Sequence, residues 1–212
     1  MSDVDTVDRP NRQAERTARS TAALLDAAAE LIVEGGFDGL TFAAIGERAG
    51  YSRGLVTARF GSKDGLVEAL IERIVATWNH RNVMPRTKGK TGLEAIGTIL
   101  DAIATQAERD PKGLRVLYAL LFEAVGPDDG LRMRIAKFQD AMRDDFRRFL
   151  RRGQRDGSIV RGLDVEREAV FLVGGLRGVG FQWLLEPDTF DPAVEFRYLH
   201  DVSIERLRRE ES

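Results

Sequence analysis

The sequence predicts an all-α fold of about nine helices, with an N-terminal three-helix helix-turn-helix domain and a C-terminal helical bundle. Apolar residues recur three and four positions apart along most of the 212 residues, which is typical of helices, and no strand is predicted. The candidate helices are separated by short segments rich in glycine, proline and aspartate, which commonly begin and end helices. Around residue 50 the same spacing predicts two short helices joined by a tight turn.

The first helix is predicted from about Arg12 to Glu34. One face of it is apolar and carries Leu24, Leu25, Ala28, Leu31 and Ile32. The segment that precedes and opens this helix is basic, with Arg9, Arg12, Arg16 and Arg19.

A helix-turn-helix is predicted directly after the first helix. Phe42, Ile45 and Ala49 lie at helical spacing and give a short second helix one buried face. Gly50 follows as a C-terminal cap, because glycine takes a positive φ at no steric cost. Ser52 is predicted to cap the third helix by accepting a hydrogen bond from its first backbone N–H groups.

The third helix is predicted to present a polar outer face. Val56 and Phe60 point to one side, which leaves Arg53, Thr57 and Ala58 facing outward. The formal net charge of the chain is −2, but the charged residues from Ser52 to Lys63 are all basic. Local charge is what meets phosphate, so this helix suits the major groove of DNA. Taken alone, the same cations also fit an ordinary solvated face.

These residues resemble the N-terminal domain of the TetR (tetracycline repressor) family of bacterial transcriptional regulators. The similarity covers about 50 residues and begins in A-A-L-L-D-A-A-A-E-L-I-V-E-G-G-F at residues 22–37. It continues through Thr41, Ile45, Ala49, Gly50, Ser52, Gly54 and Phe60 and closes with the S-K-D-G-L stretch that starts at Ser62. The rest of the chain resembles the family in its helical layout and in a G-F-Q-W-L-L run near Trp183.

The resemblance implies double-stranded DNA as a partner and a set of contact residues. The expected contact residues are Arg19, Thr41, Ser52, Arg53, Gly54, Leu55, Thr57, Ala58, Arg59 and Lys63. One departure concerns Thr57, where the family usually has a tyrosine that contacts phosphate. We expect Arg59 to take over part of that role. The arginines at positions 9 and 12 are either an arm that reaches the DNA or a disordered tail.

Six further helices are predicted, which gives a DNA-binding domain of residues 1–66 and an effector-binding and dimerisation domain of residues 67–212. The fourth helix runs from about Ser62 to His80 and, as part of both halves, is the expected lever between them. The fifth carries apolar residues from Leu93 to Ala107. The sixth begins at Asp110-Pro111, the seventh at Pro127-Asp128-Asp129, the eighth after Asp164 and the ninth at Asp191-Pro192, with residues 153–162 as a loop.

Four glycines lie within seven residues of the eighth helix: Gly174, Gly175, Gly178 and Gly180. Each costs a helix roughly 1 kcal/mol relative to alanine, and close approach of another helix would offset that cost. The resemblance implies that the last two helices pair with their copies in a homodimer. The predicted interface residues are Gly174, Gly178, Val179 and Phe196. A kinked helix or one beside an internal cavity is the alternative.

The resemblance also implies a small-molecule effector, of unknown identity, in a cavity formed by the fifth to eighth helices. The candidate residues are Trp78, Leu100, Ile103, Tyr118, Phe122, Glu123, Phe138, Met142 and Trp183. For most of them a plain packed core is the alternative. Glu123 lies in the apolar run L-L-F-E-A-V, where a buried carboxylate would need a partner and would suit a cationic or hydroxylated ligand. An exposed position or an arginine partner would explain it equally.

The sequence offers little that a catalyst would need. There is no cysteine, which excludes disulfides and thiolate chemistry, and the two histidines are far apart in sequence. No nucleophile elbow, phosphate-binding loop or zinc-protease motif is present, so we expect no enzyme, no metal site and no cofactor. No stretch is apolar for long enough to span a bilayer, and the charged first residues carry no secretory signal. A cytoplasmic protein with no membrane partner is therefore expected.

The predicted function is a ligand-responsive DNA-binding transcriptional regulator. The favoured form is a repressor that binds a palindromic operator as a homodimer and is released by a small-molecule effector. Two alternatives remain open: an activator or ligand-independent DNA binder, and a helical module that binds a ligand or a protein and has lost DNA binding.

Overall fold

A computed structural model of the chain describes residues 8–37, 39–76 and 84–208, and within these ranges it is all-α, as predicted. Nine α-helices are present there: α1 (Asp8–Gly35), α2 (Phe42–Ala49), α3 (Arg53–Phe60), α4 (Lys63–Ala76), α5 (Gly92–Arg109), α6 (Pro111–Glu123), α7 (Asp129–Asp156), α8 (Val165–Leu185) and α9 (Pro192–Leu207). A 3₁₀ turn, Met84–Thr87, precedes α5. Among the described residues no helix is both long and apolar enough to cross a bilayer.

The chain divides into two compact units, residues 1–71 and 72–212. The boundary lies inside α4, a few residues after the division predicted at Leu66. In the first unit α1 packs on α2, and α2 packs on α3. All four helices contribute to its core, in which Leu24, Ile45, Val56 and Leu66 are fully buried. This core fixes the outward face of α3.

The second unit is a bundle centred on α5, which packs against α6, α7 and α9, while α8 packs against α6, α7 and α9. Fully buried side chains from four helices fill the centre, among them Ile96, Leu120, Phe146 and Leu172. Burying each of these side chains contributes roughly 1.5–3 kcal/mol.

Aspartates set the starts of the last three helices. The side chains of Asp128, Asp164 and Asp191 each accept hydrogen bonds from the first backbone N–H groups of α7, α8 and α9. The start of α6 at Asp110-Pro111 agrees with the sequence prediction, but the Asp110 side chain makes no capping hydrogen bond. Its Oδ2 instead accepts a hydrogen bond from Gln106 Nε2 at 3.2 Å, and α6 begins with Pro111 alone as its start signal.

Helix α7 is longer than predicted, because Gly153 belongs to it and not to a loop. A Cβ on Gly153 would lie 2.9 Å from the Cβ of Ile159 and also inside contact distance of the rest of that side chain. A Cβ on Gly92 at the start of α5 would likewise strike the backbone of Gly153. The glycines therefore mark a close crossing of α5 and α7. Asp156 secures the crossing by accepting the Gly92 N–H at 2.8 Å.

The arginines near the end of α7 form ion pairs with neighbouring carboxylates at the protein surface. Arg143 pairs with Asp140. Arg147 Nη1 lies 2.7 Å from Asp144 Oδ1, and Arg151 Nη2 lies 2.7 Å from Glu166 Oε1. Hydrogen bonds to Asp144 and Glu166 raise the pKa of Arg147. Exposed pairs of this kind stabilise a protein little.

Candidate nucleic-acid interface and effector site

The turn between α2 and α3 has the predicted cap geometry at both helix ends. Gly50 has φ 74°, and its N–H donates to Glu47 O at 3.2 Å, while the Tyr51 N–H donates to Gly46 O at 2.7 Å. Together these bonds satisfy the last carbonyls of α2. Ser52 Oγ accepts the Leu55 N–H at 3.2 Å and opens α3. The expectation that Gly50 and Ser52 are caps is confirmed.

Gly46 sets the distance between the two helices, a role that the sequence pattern did not reveal. A Cβ at this position would lie 2.7 Å from Tyr51 O and 3.1 Å from Arg53 N. Both atoms are backbone, so neither can swing away as a side-chain end would. Glycine is therefore required where the turn crosses back over α2. The start of α3 is positioned by this contact.

The outer face of α3 is open to solvent. Arg53, Gly54, Thr57 and Ala58 are exposed, whereas Val56 behind them is fully buried. Thr57 Oγ1 donates to the carbonyl oxygen of Arg53 at 3.1 Å. Leu55 is half-buried. The geometry leaves the Arg53 guanidinium facing outward at the first turn of the helix.

Arg59 is half-buried and lies beside that outer face, so its contact with DNA stays a prediction. Its Nη2 donates to Ser20 Oγ of α1 at 3.3 Å, and its Nε is buried without a hydrogen-bond partner in the described part of the chain. The side chain lies back against α1 because position 59 falls between the outer face and the buried face of α3. The expectation that Arg59 partly replaces the missing tyrosine at Thr57 likewise stays a prediction.

The expected phosphate contacts lie at helix starts and are already partly engaged. Thr41 Oγ1 accepts the Ala44 N–H at 3.2 Å and caps α2, which leaves its hydroxyl proton free to donate. Lys63 Nζ donates to Phe37 O at 2.8 Å and lies 4.4 Å from the centroid of the Phe37 ring. An ammonium has three donors, so Lys63 keeps others for a phosphate. Arg19 is exposed on α1.

Other cations of the first unit differ in their availability. Arg48 Nη2 lies 2.7 Å from Glu34 Oε2, and Arg48 Nη1 lies 3.3 Å from Glu30 Oε2. The hydrogen bonds to Glu34 and Glu30 raise the pKa of Arg48, and these two carboxylates neutralise its charge within the unit. Arg12 is exposed, and the side chain of Arg9 lies outside the described residues. Helix α1 begins at Asp8, before the predicted start at Arg12.

The expected effector residues fall into two groups in the second unit. Four are packed core, namely Leu100, Ile103, Tyr118 and Trp183. Three are only partly buried, namely Phe122, Phe138 and Met142. Tyr118 is held most firmly: its hydroxyl donates to Leu176 O at 2.8 Å, and its ring packs against Gly180 of α8. Trp78 lies outside the described residues.

The proposed buried carboxylate at Glu123 is not found. Glu123 is the last residue of α6, and its side chain is exposed. It therefore does not anchor a ligand inside the bundle in this structure. An apolar sequence context alone did not identify which side of the helix this residue occupies.

The charged group inside this part of the bundle is Arg177 of α8, which the sequence analysis did not single out. Its Nε donates to Gln139 Oε1 at 3.0 Å, and its Nη2 lies 3.2 Å from Met142 Sδ, both on α7. The guanidinium lies 5.7 Å from the Tyr118 ring and 5.8 Å from the Phe138 ring. Burial lowers the pKa of Arg177. The signal in the sequence that could have identified Arg177 is its position among the apolar residues of α8.

An apolar face runs along α8 and α9. The exposed residues on it are Val170, Phe171, Phe181 and Leu185 of α8 and Val194, Tyr198 and Val202 of α9. Gly174 and Gly178 lie on the same side of α8, exposed, with no atom within 4 Å of a Cβ built on either. Val179 is half-buried. Phe196 was assigned to the interface wrongly: it is 1% exposed and stacks on Tyr118 with ring centroids 6.3 Å apart.

The chain matches two protein-family models that together span both units. Residues 24–70 match the bacterial regulatory proteins of the tetR family, and residues 93–208 match the C-terminal region of BetI-type transcriptional repressors. The second match covers more than half of the chain. The protein belongs to the TetR family.

Individual relatives agree with this assignment. The transcriptional regulator TtgR of Pseudomonas putida is 26% identical over 205 residues, which is 93% of this chain and 95% of TtgR. The regulator BetI of Burkholderia lata is 39% identical over 79 residues, covering 35% of this chain and 41% of BetI. Among solved structures, SmeT in complex with triclosan has the same fold, with a TM-score of 0.79 at 21% identity over 91% of this chain and 93% of SmeT.

As a TetR-family member with a helix-turn-helix, this protein is a DNA-binding transcriptional regulator. TtgR and BetI are both named as regulators of transcription.

Proposed function

We propose that the protein is a repressor that reads a palindromic operator with the outer face of α3 from each of two subunits. The observation that supports this most directly is the exposed row of Arg53, Gly54, Thr57 and Ala58 over the buried Val56. Two-fold symmetry would place the two α3 helices about one DNA turn apart, roughly 34–36 Å. The family model of the C-terminal region describes repressors, and SmeT is described as the repressor of an efflux pump, which favours repression over activation.

Each contact residue has a distinct role in this proposal. Arg53 at the first turn of α3 hydrogen-bonds base edges, and Leu55 meets a thymine methyl group. Thr41 and Lys63 hold phosphates from the starts of α2 and α4, and Arg19 adds a further phosphate contact from α1. The backbone N–H groups at Ser52 and Gly54, with Thr57 and Ala58 beside them, line the approach to the groove.

Arg53→Ala and Lys63→Ala separate base reading from phosphate binding. Arg53→Ala should weaken binding unevenly across operator variants, with a loss of about 1–3 kcal/mol at the base that it reads. Lys63→Ala should weaken binding evenly and lower the salt slope by about one. Anisotropy with operator variants over a salt series measures both. An equal loss on all sequences for both variants would remove Arg53 from base reading.

The effector site is proposed in the second unit, at the partly exposed side chains between α6, α7 and α8. A ligand there releases DNA only if it binds the DNA-incompetent state more tightly than the DNA-bound state. Phe122, Phe138 and Met142 fit this role better than the packed residues, because a ligand can reach them without opening the core.

The dimer interface is proposed on the apolar face of α8 and α9. Contiguous exposed apolar residues on one face usually mark an interaction surface. Gly174 and Gly178 would allow the α8 helices of two subunits to approach closely. Tyr198 and Val202 extend the same face on α9. We propose no catalytic activity and a cytoplasmic location, where the DNA partner is found.

A further inference from the structure

The guanidinium of Arg177 is a cation with no acid beside it. Its contacts are one side-chain amide oxygen, one thioether sulfur, the faces of two aromatic rings and the phenol of Tyr118, which hydrogen-bonds with it. No carboxylate of the described residues forms an ion pair with it, whereas Arg147 on α7 pairs with both Asp144 and Glu166. A buried cation is costly unless a partner neutralises it. Arg177 is partly buried, and no carboxylate of the described residues neutralises its charge.

The neighbouring groups do not supply the missing negative charge. Burial raises the pKa of Tyr118, so its phenol stays neutral at physiological pH. The Tyr118 hydroxyl donates its own proton to Leu176 O. Gln139 is a neutral amide. Met142 is a weak acceptor whose flexible side chain moves aside at low cost. Met142 is thus the partner of the guanidinium that a ligand would displace most easily.

We infer that Arg177 binds the carboxylate of an acidic effector whose apolar body lies against Phe138 and Met142. A guanidinium has a planar fork of donors that matches a carboxylate with two parallel hydrogen bonds. The half-buried rings beside it suit an aromatic or aliphatic body. This inference rests on the proposed effector site and replaces the cationic ligand that Glu123 suggested with an anionic one.

The test compares carboxylic acids with their own neutral amides on the full-length chain. Naphthoate and medium-chain fatty acids are titrated beside naphthamide and the matching fatty amides, by calorimetry and by thermal shift, with no DNA present. Charge-assisted hydrogen bonds predict that the acids bind about 10- to 100-fold more tightly than the amides. Arg177→Met should bring the two affinities together. Arg167→Met, an exposed arginine on the same helix, should leave the preference unchanged.

Stability separates a ligand role from a structural one. Because Arg177 lacks an acid partner, Arg177→Met should leave the melting temperature unchanged or raise it. Arg177→Lys keeps the charge without the planar fork and should retain a reduced preference for acids. A large fall in melting temperature for Arg177→Met, with the preference for acids intact, would overturn the inference.

The remaining outcomes are equally decisive. Equal affinity for acids and amides in the parent chain, or no binding by any acid in the series, contradicts the inference. Loss of the dimer in Arg177→Met, with acid binding retained, would assign Arg177 to a carboxylate of the second subunit and also overturn it. DNA binding by the ligand-free chain is measured separately. A chain that binds DNA but shows no acid preference defeats this inference alone, and a chain with the preference but no DNA binding defeats the proposed function alone.

Discussion

Gly46→Ala tests the claim that a close backbone contact sets the position of α3. The new Cβ would lie 2.7 Å from Tyr51 O and 3.1 Å from Arg53 N. Ordinary contacts between such atoms begin at about 3.5 Å, so the turn would have to move by roughly 0.8 Å. The Tyr51 N–H already donates to Gly46 O at 2.7 Å. This hydrogen bond holds the turn against residue 46, so the turn cannot move away from the new Cβ without straining it.

The expected loss follows from two opposing effects. Overpacking costs typically 1–3 kcal/mol, and replacing glycine by alanine inside a helix returns at most about 1 kcal/mol. We therefore expect the variant to lose about 1–2 kcal/mol of unfolding free energy. Displacing Arg53 by a sizeable part of an ångström should also break bidentate base contacts, which reduces specific DNA affinity by about tenfold or more.

Urea unfolding followed by circular dichroism measures the first effect, and anisotropy with operator DNA measures the second. The control is Gly113→Ala on α6, where the nearest atom to a new Cβ is Asp110 Oδ2 at 3.9 Å. That variant should be unchanged or more stable by up to about 1 kcal/mol, with unaltered DNA affinity. If Gly46→Ala is as stable as Gly113→Ala and binds DNA as tightly, the backbone contact does not position α3.

Three further predictions concern single contacts. Ser52→Ala removes the cap of α3 and should cost about 1 kcal/mol in urea unfolding, with Ser52→Asn restoring it; a loss in both variants would contradict the capping role. Tyr198→Glu places a charge on the apolar face of α8 and α9 and should shift the chain from dimer to monomer in analytical ultracentrifugation, whereas an unchanged dimer would move the interface elsewhere. Burial alone would raise the pKa of Asp156, but hydrogen bonds from Ser158 and Gly92 lower it overall. Asp156→Ala should therefore lose about 1–2 kcal/mol at neutral pH, and the deficit should shrink as pH falls below about 4, through the pKa of the native carboxyl; a deficit that grows on acidification would refute this assignment.

Features determined by local chemistry could be predicted from the sequence. The caps at Gly50 and Ser52 and the start of α8 after Asp164 depend on residues only a few positions apart, and the structure confirms them. Asp110 shows the limit of such signals, because its carboxylate bonds a side chain of the preceding helix instead of capping α6. Local patterns thus located the helices well and identified individual bonds less well.

Features that depend on packing between distant segments could not be predicted. Gly175 and Gly180 pack against Leu199 and Tyr118 of the same chain, whereas Gly174 and Gly178 are open, and nothing in the spacing distinguishes the two pairs. Arg59 looks as available for DNA as Arg53 until α1 is in place beside it.

The sequence analysis chose Glu123 as the charged residue of the effector region, and this choice was wrong because it depended on packing between distant segments. Glu123 and Arg177 both lie in apolar stretches of sequence. The end of α6 exposes Glu123, while the packing of α8 on α6 and α7 turns Arg177 inward. The sequence predicts which helix carries a charged residue, but whether that residue faces the core or the solvent depends on tertiary packing.

The central claim is that the protein recognises a specific operator through α3. The most direct test is selection of genomic fragments by the purified protein, followed by anisotropy of the selected fragment and of random DNA over a salt series. The account predicts a palindromic fragment bound by one dimer at least about 10³-fold more tightly than random DNA, with that ratio reduced by Arg53→Ala. Binding of the same strength to selected and random fragments at every salt concentration would contradict it.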